Sequence, residues 1–185
     1  MDDEVRSKFA WSITGSGHYL KECMDLMQRL GNVDLFLSRA ASEVLSMYGF
    51  DSQSLKPRIR VFRDNTASAV PVGFFYERHY HTVVIAPATS NTVAKCVGGI
   101  SDTLVTNIFA QAGKCRVPSI IFACDTEPAL ISEAPGGPVM VYPRQIDLEN
   151  VEKLRTFEST TVASSIDELE RALEMRMQCL STSCS

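Results

Sequence analysis

The sequence predicts an α/β chain in three layers, with a central parallel sheet and helices on both faces, on two observations. Short apolar, β-branched runs alternate along the chain with longer stretches in which apolar residues recur at helical spacing, the pattern that successive βα units produce. The runs at 82–86 and 118–123 are also nearly continuous in apolar residues, as strands covered on both faces must be.

Taken in order, Phe9 to Thr14 reads as the first strand. Leu20, Cys23, Met24, Met27 and Leu30 then fall three or four apart with Gly31 as a stop, which predicts a helix from His18 to Leu30. Val33 to Leu37 is the second strand, and Ala41, Val44, Leu45 and Tyr48 mark the apolar side of a second helix ending near Gly49. The polar, basic stretch from Asp51 to Thr66, carrying Lys56, Arg58, Arg60 and Arg63, breaks the alternation and reads as a loop or lid with a short extended piece. Thr82 to Ala86 is the third strand, followed by helical spacing at Leu104, Val105, Ile108, Phe109 and Ala112. Pro118 to Ala123 is the fourth strand, and Val139 to Tyr142 and Thr160 to Ala163 are candidate further ones. Ser165-Ile-Asp-Glu168 is a capping box that opens a last helix, running to about Leu180.

The length, 185 residues, suits a single domain spanning 1–185. With 18 Lys+Arg against 22 Asp+Glu, the net charge of -4 argues against a nucleic-acid partner, which a basic surface would attract. The longest apolar runs fall far short of the roughly 20 residues that cross a bilayer, so no membrane partner is expected. The acidic start, Met1-Asp-Asp-Glu4, lacks the charged and apolar regions of a secretory signal, and a cytoplasmic location follows. Six cysteines, at 23, 96, 115, 124, 179 and 184, show neither a C-x-x-C pair nor a histidine at zinc-finger spacing; they are expected as free thiols, with no metal.

In an open parallel sheet a ligand binds beyond the carboxyl ends of the strands, which directs attention to the loops there. Thr14-Gly-Ser-Gly-His18 is a small-residue turn in which Gly15, Ser16 and Gly17 can present backbone N–H groups and a hydroxyl to an anion, although two glycines serve packing equally often. Ser38, at the end of the second strand, reads either as a second hydroxyl for that anion or as a plain helix cap. Pro87-Ala-Thr-Ser-Asn-Thr92 crowds more polar groups at a strand mouth than one cap requires.

Ala86-Pro-Ala-Thr-Ser-Asn-Thr-Val-Ala-Lys95, followed by Gly99-Ile-Ser-Asp-Thr-Leu-Val-Thr106, resembles the flavoprotein family of homo-oligomeric flavin-containing Cys decarboxylases, and the likeness extends over about residues 9–125. The resemblance implies a Rossmann-like, flavodoxin-like sandwich that binds FMN without a covalent link. It places the FMN phosphate on Gly15, Ser16, Gly17 and Ser38, and it turns Thr89, Ser90, Asn91 and Thr92 toward the ribityl chain and the polar edge of the flavin. Cys124 and Asp125 complete the predicted cofactor contacts. It further implies a homo-oligomer built on trimers with flavin at subunit interfaces, so that Asn91 and the helix through Asp102 serve a neighbouring chain as well.

Two departures bear on the chemistry. Gly73 stands where the decarboxylases of the family carry their catalytic histidine, and Ala123-Cys-Asp-Thr-Glu-Pro128 replaces their Pro-x-Met-Asn-x-x-Met-Trp substrate motif. A retained flavin cradle without that motif resembles the archaeoflavoproteins and the acceptor-dependent dihydromethanopterin reductases of the wider group. The resemblance therefore implies an FMN oxidoreductase that reduces a dihydropterin, with Tyr76, His79 and Tyr80 as candidate substrate contacts. Arg60 and Arg63 are candidate partners for an anionic substrate tail, because a planar guanidinium binds such groups at two points; a solvated charged loop is the plainer alternative. Other readings are an electron carrier partnered with a ferredoxin and a decarboxylase or prenyltransferase with displaced groups.

Overall fold

The computed structural model describes residues 7–50, 59–65 and 70–182. The chain runs β1 (Lys8–Ile13), α1 (Leu20–Leu30), β2 (Val33–Leu37), α2 (Arg39–Met47), β3 (Arg60–Arg63), α3 (Val70–Gly73), β4 (Tyr80–Ala88), α4 (Ser90–Val97) and α5 (Leu104–Lys114). It continues with β5 (Ser119–Ala123), β6 (Leu130–Ala134), β7 (Gly137–Val141), α6 (Gln145–Arg155), β8 (Thr160–Ala163) and α7 (Ile166–Thr182).

Six strands form one sheet in the order β3-β2-β1-β4-β5-β8, and every pair in it is parallel. The order reverses direction between β1 and β4, which places a crevice at their carboxyl ends. Without β3 the order would be the five-stranded flavodoxin arrangement; β3 adds the edge strand that makes it the six-stranded doubly wound one. Leu20, Cys23, Met24 and Met27 of α1 pack with Leu45 of α2 and Leu169 and Leu173 of α7 on one face. Val93 and Cys96 of α4, Leu104, Val105 and Ile108 of α5, and Val151 and Leu154 of α6 cover the other. Burial of β1, β2, β4 and β5 on both sides is what the continuous apolar runs require.

Several expected boundaries match within a residue or two. The expected β2 coincides with Val33–Leu37, Gly31 ends α1 at φ +76, and α7 opens with Ser165 Oγ accepting the Glu168 N–H at 3.2 Å. The Glu168 carboxylate returns to the N–H of Ser164 at 2.7 Å, one residue earlier than a strict capping box. Two elements differ from expectation. The short extended piece near Arg60 is not part of a free loop but β3, paired in parallel with β2. Val139 to Tyr142 does not join the main sheet; most of it lies in β7, which pairs antiparallel with β6 to form a separate hairpin turning at Pro135-Gly136. Lys56 and Arg58 fall outside the described residues.

At the amino end of the sheet, Lys8, Asp34, Arg60 and Tyr80 converge from four strands. The Asp34 carboxylate is fully buried and accepts hydrogen bonds from Lys8 Nζ at 2.9 Å, Tyr80 Oη at 2.9 Å and Arg60 Nε at 3.1 Å, with a further close contact from Arg60 Nη2. Burial alone would raise the Asp34 carboxyl; the hydrogen bonds from Arg60, Lys8 and Tyr80 outweigh it and hold the group below its ordinary range. Among the described residues no helix is long and apolar enough to cross a membrane.

Candidate functional site

The crevice lies at the opposite end of the sheet, where the turns after β1, β2, β4 and β5 meet. Thr14 joins the first and third of these. Its N–H and hydroxyl both donate to Pro87 O, at 3.2 and 2.8 Å, and its Oγ1 accepts the N–H of Thr89 at 2.9 Å. Ser16 Oγ accepts the His18 N–H at 3.1 Å, which curls the Gly15–Gly17 turn, and it also meets Cys124 Sγ at 3.2 Å, which ties in the end of β5. Among the described residues, the N–H groups of Gly15, Ser16 and Gly17 have no acceptor. Three free amides in one tight turn beside the start of α1 can cradle an anion.

The glycines of this turn answer to close approach rather than to backbone torsion. A Cβ on Gly15 would stand 2.6 Å from Ala40 Cβ, and one on Gly17 would stand 2.0 Å from the Tyr48 hydroxyl. Both obstacles belong to the α2 segment, so the turn is pressed against the helix whose N-cap is Ser38. Ser38 Oγ accepts the Ala41 N–H at 3.0 Å, so its capping role is realised, and Ser38 N donates to Ile13 O at 3.1 Å, which seats it beside the turn.

Thr89 caps α4 in the same way. Its Oγ1 accepts the Thr92 N–H at 3.3 Å and lies 3.1 Å from Thr92 Oγ1, so these two hydroxyls serve the helix start. Ser90 donates to the Asp125 carboxylate, fixing the first turn of α4 to the loop after β5. Asn91 is exposed at the helix surface. Burial pushes the Cys124 thiol up to about 12, which makes it a packing and hydrogen-bonding group rather than a nucleophile.

His18, Tyr19, Tyr48 and Glu133 join the site without having been predicted. The His18 ring stacks edge-on against Tyr19 at 4.4 Å, and burial lowers its titration against the opposing pull of Asp125, Glu133 and Glu22. Tyr19 takes a left-handed φ of +50 at the helix start, and the Tyr48 hydroxyl donates to Glu133 O at 2.9 Å, holding the β6–β7 hairpin against the cradle. His18 stood in the quoted turn; the other contacts span too much sequence to be read from spacing.

The structure thus brings together Gly15, Ser16, Gly17, Ser38, Thr89, Ser90, Asn91, Thr92, Cys124 and Asp125. It places Arg60, Tyr76, His79 and Tyr80 away from the same chain's cradle. Arg60 and Tyr80 are committed to Asp34 at the other end of the sheet, His79 Nε2 lies 2.8 Å from Arg60 Nη2, and Tyr76 is exposed in the turn before β4. Arg63 is on the crevice side, because it pairs with Leu37 at the carboxyl end of β2. Gly73 ends α3, with open space around its Cα.

Comparison with known proteins agrees with this geometry. The Flavoprotein family model matches residues 2–181. DmrB of Burkholderia xenovorans, solved in complex with FMN and described as a cubic protein cage for redox transfer, is 56% identical, with a TM-score of 0.87 over 95% of this chain and 97% of that one. An uncharacterized protein of Methanocaldococcus jannaschii is 37% identical over 90% of this chain and 94% of its own length. The acceptor-dependent dihydromethanopterin reductase of Methanosarcina mazei is 39% identical over 69% of this chain, which spans 59% of that reductase. Phenylacrylic acid decarboxylase of Aquifex aeolicus, 24% identical with a TM-score of 0.66 over 92% of this chain and 96% of that one, shares the fold. With nearly its whole length matched and a cradle of free amides at the switch point of the sheet, the chain belongs to the Flavoprotein family.

Proposed function

We propose that the chain is an FMN-dependent oxidoreductase that reduces dihydromethanopterin to tetrahydromethanopterin with electrons from an external donor, residues 1–185 forming one FMN-binding domain. The observation that carries this reading is the 56% identity with DmrB, a protein solved with FMN, across 95% of the chain. The dihydromethanopterin reductases supply the substrate class, at 39% and 36% identity.

The residues fit the cofactor. The free amides of Gly15, Ser16 and Gly17 and the start of α1 hold a phosphate, and Ser38 adds a hydroxyl beside them. Ser90, fixed by Asp125, orients the first turn of α4, where Asn91 offers its amide to the polar edge of the flavin. When bound, FMN supplies the two-electron chemistry, and the protein supplies position and electrostatics. The described residues offer no histidine at position 73 to act as the base of a decarboxylase. Like DmrB, which is described as a cubic protein cage, the chain forms a homo-oligomeric cage; the family resemblance in the sequence builds it on trimers with flavin at the subunit interfaces.

The test is anaerobic. Reduced, FMN-loaded protein mixed with dihydromethanopterin recovers its oxidised flavin spectrum in proportion to tetrahydromethanopterin formed; a spectrum that stays reduced rejects the reading. Asn91→Asp, which sets a carboxylate beside the flavin, lowers FMN retention on gel filtration, and undiminished flavin content removes Asn91 from the site.

A further inference from the structure

One cavity on the α2 face of the sheet is not used by the cradle. It measures about 370 Å³ and lies between α2 and the outer part of the sheet. Val61 and Phe50 supply its accessible apolar wall above buried Met24, Leu35 and Leu45, while Ser42, Ser46 and Arg63 supply the polar groups. Ser42 and Ser46 follow Ser38 at four-residue intervals along one side of α2, so a single row of hydroxyls leads from the cradle into the cavity.

Arg63 sets the chemistry. Its Nη1 lies 3.4 Å from Ser42 Oγ, and among the described residues no carboxylate pairs with it. Arg60, three residues earlier on the same strand, is neutralised by buried Asp34. The two arginines of β3 therefore divide the work. One is locked into the sheet, and the other stands with a hydroxyl beside it over an apolar floor. A guanidinium with adjacent hydroxyls receives a carboxylate or phosphate, and apolar walls receive the carbon skeleton behind it.

We propose that this cavity is a second ligand site, for an organic anion whose acid group meets Arg63 and Ser42 and whose apolar stem lies against Val61 and Phe50, the partly exposed apolar residues of its lining. The shared chemistry has two sources, the acidic tail of the flavin's own substrate or a separate small metabolite. The site itself does not depend on the reductase reading; only the turnover measurement below rests on it.

The probe is benzyl phosphate, titrated calorimetrically into FMN-loaded protein so that the phosphate cradle is already filled. The wild type binds it saturably, Arg63→Ala weakens binding at least tenfold, and Ser46→Phe, which fills the cavity, abolishes it. Arg39→Ala removes an exposed cation on the same helix outside the cavity, and it changes binding less than twofold. Absence of saturable binding, or equal losses in Arg39→Ala and Arg63→Ala, overturns the proposal. Retained flavin content shows that each variant is folded. In turnover, a KM raised by Arg63→Ala for dihydromethanopterin but not for a tail-less dihydropterin identifies the substrate tail as the anion. An unchanged KM for both, with benzyl phosphate binding lost, identifies a separate metabolite. An equal rise for both reports damage to flavin or fold and overturns the assignment. Binding intact in a protein that turns over neither substrate refutes the reductase reading and leaves the cavity standing.

Discussion

Gly15 and Gly17 flank a single serine, yet substitution at each meets a different kind of neighbour. At Gly15 the obstacle is Ala40 Cβ at 2.6 Å, one bond from the α2 backbone, so an added methyl must push the helix itself. At Gly17 it is the far end of Tyr48, which can swing away at the cost of its hydrogen bond to Glu133 O. Gly15→Ala therefore costs about 1–3 kcal/mol in urea unfolding and releases FMN, whereas Gly17→Ala costs about 1 kcal/mol, the worth of an ordinary hydrogen bond. Equal losses in the two variants count against this difference in neighbours. The sequence showed that small residues were needed in this turn and that Ser38 stood near it. It could not show why, since the contacts with Ala40 and Tyr48 join separate elements. Ser38 and Thr89 were readable as caps because capping is local, three residues from acceptor to donor.

Among the elements, β3 was the least legible. Four residues with an arginine at each end look like a polar loop, and nothing local reveals that Arg60 finds a buried carboxylate 26 positions earlier. The strand exists because that partner exists: its inner neighbour β2 carries Asp34 opposite Arg60 in the register. Asp34→Asn leaves Lys8 and Arg60 without their anion and costs about 3–5 kcal/mol, as loss of one partner from a buried ion pair does. Hydrogen exchange in β3 rises before that in β1 or β4 if the carboxylate pins the edge. Arg60→Ala costs less, because Lys8 and Tyr80 still serve Asp34. The continuous strands β2, β4 and β5 were legible for the converse reason, since burial on both faces leaves a local record in composition.

For the whole molecule, the three histidines titrate low together. Burial is the largest cause at His18, His79 and His81, and His81 is brought down to about 4 from the usual 6.5. As pH falls below 6.5 the unfolded chain takes up protons that the folded chain refuses, so folding stability declines between about pH 6.5 and 4, while from 6.5 up to pH 8 the histidines leave it level. Asp34 adds a further loss as the pH falls below its ordinary 3.8, because its folded carboxyl is held lower. Thermal melts from pH 8 to 4 check this, and a midpoint that does not fall below pH 6.5 refutes it. The same whole-molecule view gives a chemical outcome: with Gly73 and Cys124-Asp-Thr-Glu127 in place of the decarboxylase groups, peptidyl cysteine releases no carbon dioxide above background. The sandwich was legible from the alternation of strands and helices, but the β6–β7 hairpin was not, because Leu130–Ala134 mixes polar and apolar residues and closes through Pro135-Gly136.

Trp11 carries a practical consequence. It is the chain's one tryptophan, fully buried in β1, with its indole N–H donating to Ala86 O at 2.9 Å, immediately before the residue whose carbonyl anchors Thr14. An indole emits in the near ultraviolet where a flavin absorbs, and this one stands within four residues of the cradle. Its emission is therefore an optical gauge of cofactor occupancy, dimming as FMN fills the cradle and brightening as it leaves, with no label added and no second tryptophan to confuse the signal.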